Sequence, residues 1–151
     1  MEHAIDFTLP DQDGNSFTLS SLKGQKVILY FYPRDNTPGC TKEACSFRDS
    51  FPALSGLNAR VIGISPDSVE SHRKFREKFA LPFTLLSDKE KTVMQAYGAY
   101  GEKKLYGKVS MGVLRTTFLL DEEGKVLKVW KKVNTATHGE DVRAELEKLS
   151  S

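Results

Sequence analysis

Lys26-Val27-Ile28-Leu29-Tyr30-Phe31-Tyr32, followed by Pro33 and by Asp35-Asn36-Thr37-Pro38-Gly39-Cys40, is the stretch from which the rest of the chain is organised. From Val27 to Tyr32 the residues are apolar on both faces, as expected of a central strand buried between helices. Pro33 ends that strand. Pro38 and Gly39 break regular structure, and a polar, helix-forming run then leads from Cys40 towards Phe51. A buried strand, a short loop and a helix in this order form the opening unit of an α/β sheet.

The flanks extend the pattern. Upstream, Phe7-Thr8-Leu9 and Phe17-Thr18-Leu19 alternate like strands around Asp13-Gly14, which predicts an N-terminal β-hairpin. Asp11, Asp13 and Asn15 resemble a calcium loop, but its twelfth position is Leu22 where a bidentate Glu is required. Downstream, Ala59 to Ser65 reads as a second inner strand. A helix follows, with Asp67 and Glu70 as a capping box and Val69, Phe75 and Phe79 as its apolar face. Phe83 to Leu86 reads as a short strand and Val93 to Tyr97 as a helical stretch. Lys103, Lys104 and Lys108 around Tyr106 read as a solvated loop. Thr116 to Leu120 and Val126 to Trp130 are strands joined by Asp121-Glu122-Glu123-Gly124. Thr137 and Glu140 cap a last helix carrying Val142, Leu146 and Leu149. The expected fold class is α/β, with a central mixed β-sheet flanked by helices in a single domain over residues 1–151. Periodicity alone does not select one topology among the small α/β folds.

Composition narrows the function. Twenty-two basic residues against 20 acidic ones leave a net charge of +2, which gives no electrostatic reason to expect nucleic acid or an anionic membrane. The N-terminus carries acids and no apolar stretch, and the longest apolar run is far below the ~18 residues of a membrane span. The chain is therefore expected to be cytoplasmic. His3, His72 and His138 are scattered, and two cysteines alone supply too few ligands for a structural zinc, so no metal or cofactor is expected.

The two cysteines, Cys40 and Cys45, lie five positions apart. A permanent disulfide over so short a loop adds little stability, and the cytosol tends to reduce it. If the pair matters, it matters as chemistry. Cys40 falls in the first turn of a helix, where free N–H groups and the helix dipole favour an anion. A free thiol of pKa ~8.5 is only about 3% thiolate at pH 7, and a helix N-terminus lowers that pKa by about one unit. A fully active thiolate needs a further cation; Arg34, Lys42 and any distant arginine are candidates.

The segment Pro33 to Cys45 resembles the active-site signature of the peroxiredoxins, Pro-x-x-x-Thr-x-x-Cys, with Pro33, Thr37 and Cys40 at its fixed positions. Thr37-Pro38-Gly39-Cys40-Thr41-Lys42-Glu43-Ala44-Cys45 is similar to the Q-type subfamily, also called bacterioferritin comigratory protein. The likeness extends through Phe7 to Asp11, Val61 to Ser65, Phe83 to Asp88 and Arg115 to Asp121. It implies a thioredoxin-like fold and a peroxidase that reduces hydrogen peroxide and organic hydroperoxides. It also implies roles: Cys40 as peroxidatic nucleophile, Cys45 as resolving cysteine, Arg115 as the missing cation, Thr37 orienting the peroxide and Pro33 shielding the sulfenate. Thioredoxin or a similar dithiol would be the reductant, and the chain would be a monomer. The competing reading is a thioredoxin-like disulfide oxidoreductase without peroxidase activity, which calls for Cys-x-x-Cys, whereas four residues intervene here.

Helix geometry adds a constraint independent of resemblance. Residues i and i+5 of an ideal helix have Cα atoms about 8.6 Å apart and point ~140° apart. A disulfide tolerates at most ~7 Å. If both cysteines occupy one intact helix, it must unwind before they join.

Overall fold

The structure, a computed structural model, describes residues 1–150. Its centre is a five-stranded mixed sheet of β3 (Lys26–Phe31), β4 (Ala59–Ser65), β5 (Thr84–Ser87), β8 (Thr116–Leu120) and β9 (Val126–Trp130), in the order β5-β4-β3-β8-β9. The strands β3, β4 and β5 run parallel, while β8 and β9 are antiparallel to their neighbours. β3 lies in the middle, as its two apolar faces require. Ile28, Tyr30 and Tyr32 pack beneath α1 (Pro38–Gly56), α2 (Val69–Lys78) and α4 (His138–Ser150). Val27, Leu29 and Phe31 face the opposite layer. That layer is made by the hairpin of β1 (Thr8–Pro10) and β2 (Ser16–Thr18), a 3-10 turn at Leu19–Leu22, and α3 (Thr92–Ala96). The expected N-terminal hairpin is present, in the register Thr8↔Thr18, with Gly14 at φ +82° in its turn.

Three local expectations are corrected. The segment read as a solvated loop is a second hairpin, β6 (Tyr100–Leu105) with β7 (Lys108–Val113). It turns at Tyr106 and Gly107, both left-handed at φ +52° and +78°, the backbone of a type I′ turn. Lysines and exposed residues on both faces hid the alternation that marks a strand. The cap of α2 is Ser68, whose Oγ accepts from Ser71 N, so Asp67 is free to bond elsewhere. At α4, Thr137 Oγ1 donates to Asp141 Oδ2, and Glu140 accepts from Ser50 of α1, so the capping box does not form.

The α1–α4 contact depends on Gly139. Its N–H donates to Ser46 Oγ at 2.7 Å, and a Cβ there would stand 2.3 Å from the Ser46 carbonyl oxygen. Alanine would improve helix propensity by up to about 1 kcal/mol. The clash with rigid backbone outweighs that, because it must push α4 and its buried Val142 and Leu146 off α1. Gly139→Ala is expected to destabilise by about 3 kcal/mol, the upper end of overpacking costs. Urea denaturation measures it, and an unchanged midpoint would refute the close approach.

Candidate active site

The loop after β3 carries Pro33, Arg34, Asp35, Asn36 and Thr37 into α1, with Asn36 left-handed at φ +59°. Thr37 is the N-cap residue, but its hydroxyl does not cap the helix; Oγ1 donates to Arg34 O at 3.0 Å. Pro38 begins the helix two residues earlier than expected, at a position where its missing N–H costs nothing. No acid occupies the first turn to compete for its dipole. Cys40 lies in that turn and is only 1% exposed. Pro33 is half-buried at the start of the loop.

Arg115 reaches this turn from the start of β8, the strand paired with β3. β3 and β8 pair with Phe31 opposite Thr116, so the residue before β8 stands beside the end of β3 from which the loop departs. Arg115 Nη2 donates to Cys40 Sγ at 3.3 Å, which places a guanidinium directly on the sulfur. The local candidates, Arg34 and Lys42, are exposed. Burial opposes the Arg115 charge, but Glu43 and Cys40 together more than restore it, so the guanidinium holds its proton more tightly than usual. Burial also pushes the Lys103 ammonium of β6 down; Arg115 adds to that shift and Cys40 opposes it. The second hairpin thus brings another cation into the field of the site.

Glu43 is the residue that the sequence reading did not assign. It sits one turn after Cys40, is 0% exposed, and accepts from Arg115 Nη1 at 2.6 Å. Its Oε2 has no hydrogen-bond partner. Burial raises its carboxyl from 4.5 to about 7 even though Arg115 pulls the other way. Below that pH the carboxyl is neutral and Arg115 keeps its full charge for the sulfur; above it the charge is shared. An acid three residues after the cysteine, on the inward face of the helix, was the available signal.

His138, at the start of α4, is also buried near the site, its Nε2 2.8 Å from Thr117 Oγ1. Burial pushes its imidazole down to about 4, so the ring stays neutral at physiological pH. Its ring meets Phe47 and Trp130 edge to face.

Cys45 lies on the same helix as Cys40, half-buried, and both thiols are free. The structure therefore brings Cys40, Arg115 and Glu43 into contact and sets Thr37 at the head of their helix. It leaves Cys45 on another face, beyond disulfide reach by helix geometry.

Residues 1–129 match the AhpC/TSA family. A Bcp-type relative from Coxiella burnetii is 54% identical over 136 residues, 90% of each chain. Peroxiredoxin Bcp of Bacillus subtilis is 46% identical over 149 residues, covering 99% of this chain and 95% of that one. Among solved structures, the bacterioferritin comigratory protein of Xanthomonas campestris, described by its alkyl peroxide reduction activity, superposes with a TM-score of 0.90. It is 37% identical, with 96% of this chain and 92% of that chain covered.

Proposed function

Given that the chain belongs to the AhpC/TSA family of peroxiredoxins and is a thiol-dependent peroxidase, we propose that Cys40 attacks the peroxide and Cys45 resolves the product. The Cys40 thiolate attacks the terminal oxygen of a hydroperoxide, and the O–O bond breaks. The remaining alkoxide or hydroxide leaves and takes up a proton, and the sulfur is left as sulfenic acid. The Cys45 thiol then displaces water to form the Cys40–Cys45 disulfide. A dithiol such as thioredoxin returns both sulfurs to thiols while itself becoming a disulfide.

The observation that carries this reading is the 3.3 Å contact from Arg115 Nη2 to Cys40 Sγ. The same guanidinium can stabilise charge developing on the peroxide oxygens. Thr37 Oγ1 has committed its proton to Arg34 O, so it meets a peroxide as an acceptor and would orient the incoming O–H. Pro33 would shield the sulfenate from water. The net charge is near balance, and no helix among the described residues is long and apolar enough to cross a membrane. A monomer working in the cytoplasm as one domain over residues 1–151 is part of the same proposal.

Resolution requires the first turns of α1 to open. Cys45→Ser is expected to consume about one peroxide per chain, accumulate sulfenic acid on Cys40, and lose multiple turnover with thioredoxin. In the unmodified protein, oxidation should strip amide protection from Thr41 to Phe47, because local opening near a helix start is low in free energy. Hydrogen exchange on reduced and oxidised protein reads this directly. Normal cycling by the variant would show that another thiol resolves Cys40, and equal protection in both states would rule out the opening.

A further inference from the structure

His72 and Asp35 form a buried pair that no step above uses; their exposures are 0% and 7%. His72 Nδ1 is 2.7 Å from Asp35 Oδ2, and Nε2 is 2.9 Å from Leu86 O. A carbonyl only accepts, so Nε2 carries a hydrogen, and the short Nδ1–Oδ2 contact needs a second. The ring is therefore bonded at both of its nitrogens. Asp35 also accepts from the Tyr32 hydroxyl at 2.5 Å and from Ser71 Oγ at 2.8 Å. Its backbone N–H donates to Asp67 Oδ2 at 2.7 Å, and that oxygen also accepts from Ser65 Oγ at 2.6 Å. Asp35, Asp67 and His72 bring ligand-type atoms within 4.8 Å of one another. Because hydrogen bonds already occupy those atoms, the cluster works as an anchor and not as an ion site.

Of residues 33–37, only Asp35 is buried. It ties the loop to α2 through Ser71 and His72, and through the His72 ring to β5 at Leu86. The Thr37 hydroxyl bonds to Arg34 O, one residue before this anchor. The place of that hydroxyl thus follows from where Asp35 is held. We propose that His72 is a positioning residue for peroxide reduction, holding the Pro33–Thr37 loop through Asp35 so that Thr37 meets the peroxide at Cys40. This rests on the roles given above to Cys40 and Thr37.

The test compares two reactions of the reduced full-length chain: oxidation by hydrogen peroxide, by competition with a haem peroxidase, and alkylation of Cys40 by iodoacetamide. His72→Gln can still reach Leu86 O but loses Asp35, while His72→Asn puts an amide N–H near the position of Nδ1. His72→Gln is expected to keep its circular dichroism and alkylation rate and to lose ten- to a hundredfold in peroxide rate, the scale of a misplaced positioning group. His72→Asn should recover most of it. A merely structural histidine would leave the folded variant's peroxide rate unchanged, and that result, or a parallel fall in alkylation, overturns the proposal. Should His72→Gln fail to fold, Ser71→Ala and Tyr32→Phe each remove one donor to Asp35, and wild-type peroxide rates in both overturn it equally. Thr37→Val measured alongside separates the two readings: if it is slow while the His72 and Asp35-donor variants are fast, the assignment of Thr37 stands and the anchor falls.

Discussion

Cys40→Ser is expected to lose peroxide turnover by at least about a thousandfold, the order of loss when the nucleophile is removed from a catalytic group that acts as a unit. A serine hydroxyl is almost wholly protonated at neutral pH and cannot form a sulfenic acid. The fold should survive: the side chain keeps its shape in a site only 1% exposed, and Arg115 Nη2 can donate to Oγ as it does to Sγ. The variant should therefore show wild-type circular dichroism, no peroxide-dependent oxidation of thioredoxin, and Cys45 still alkylated by iodoacetamide. Appreciable turnover would falsify the assignment of Cys40.

Arg115→Met is expected to slow peroxide oxidation about a hundredfold, the usual cost of deleting a preorganised donor from a site of developing negative charge. Alkylation of Cys40 at pH 7 should fall as well, because the cation beside the sulfur is gone. Lysine would restore the charge but not the fork that serves Cys40 and Glu43 together. The same variant carries a stability signature. Glu43 already titrates at about 7 in the folded protein against an ordinary 4.5, so the folded state binds more protons across that window. At this site stability is greatest below 4.5 and declines as pH rises towards 7. Without Arg115 the buried carboxyl loses its counter-charge, the upper edge of the window moves higher, and the loss of stability extends past pH 7. Adding Glu43→Gln should remove that extra pH dependence. Denaturant midpoints from pH 5 to 8 measure it. Equal slopes for the wild type and Arg115→Met would show that the pair is not coupled, and an unchanged peroxide rate would remove Arg115 from the mechanism.

Local interactions made much of this molecule legible. The two apolar faces of β3 required a layer on each side, and the boundaries read for β4, β8 and β9 match those observed. Pro38 and Gly39 placed Cys40 in a first helical turn, and helix geometry alone separated Cys45 from it. Where the reading failed, a short polar side chain or a solvated strand was involved. At α2, Asp67 and Ser68 could each cap; the choice was made by Asp35, which binds Asp67 from a distant segment, together with Ser65 two residues before it.

The α/β class, the buried central strand, the helix start that holds Cys40 and the family signature around it are all legible along the chain. These rest on periodicity and on neighbours a few residues apart. What surrounds the sulfur depends instead on how distant segments pack. Arg115 is 75 positions from Cys40 and meets it because β8 pairs with β3 in one register; a shift by a single residue would turn Arg115 to the other face of the sheet. Glu43 gained its raised carboxyl, and His72 its hold on Asp35, from burial and from partners on other elements. Such effects depend on three-dimensional distance and on exclusion of water, and neither quantity is carried by spacing along a chain.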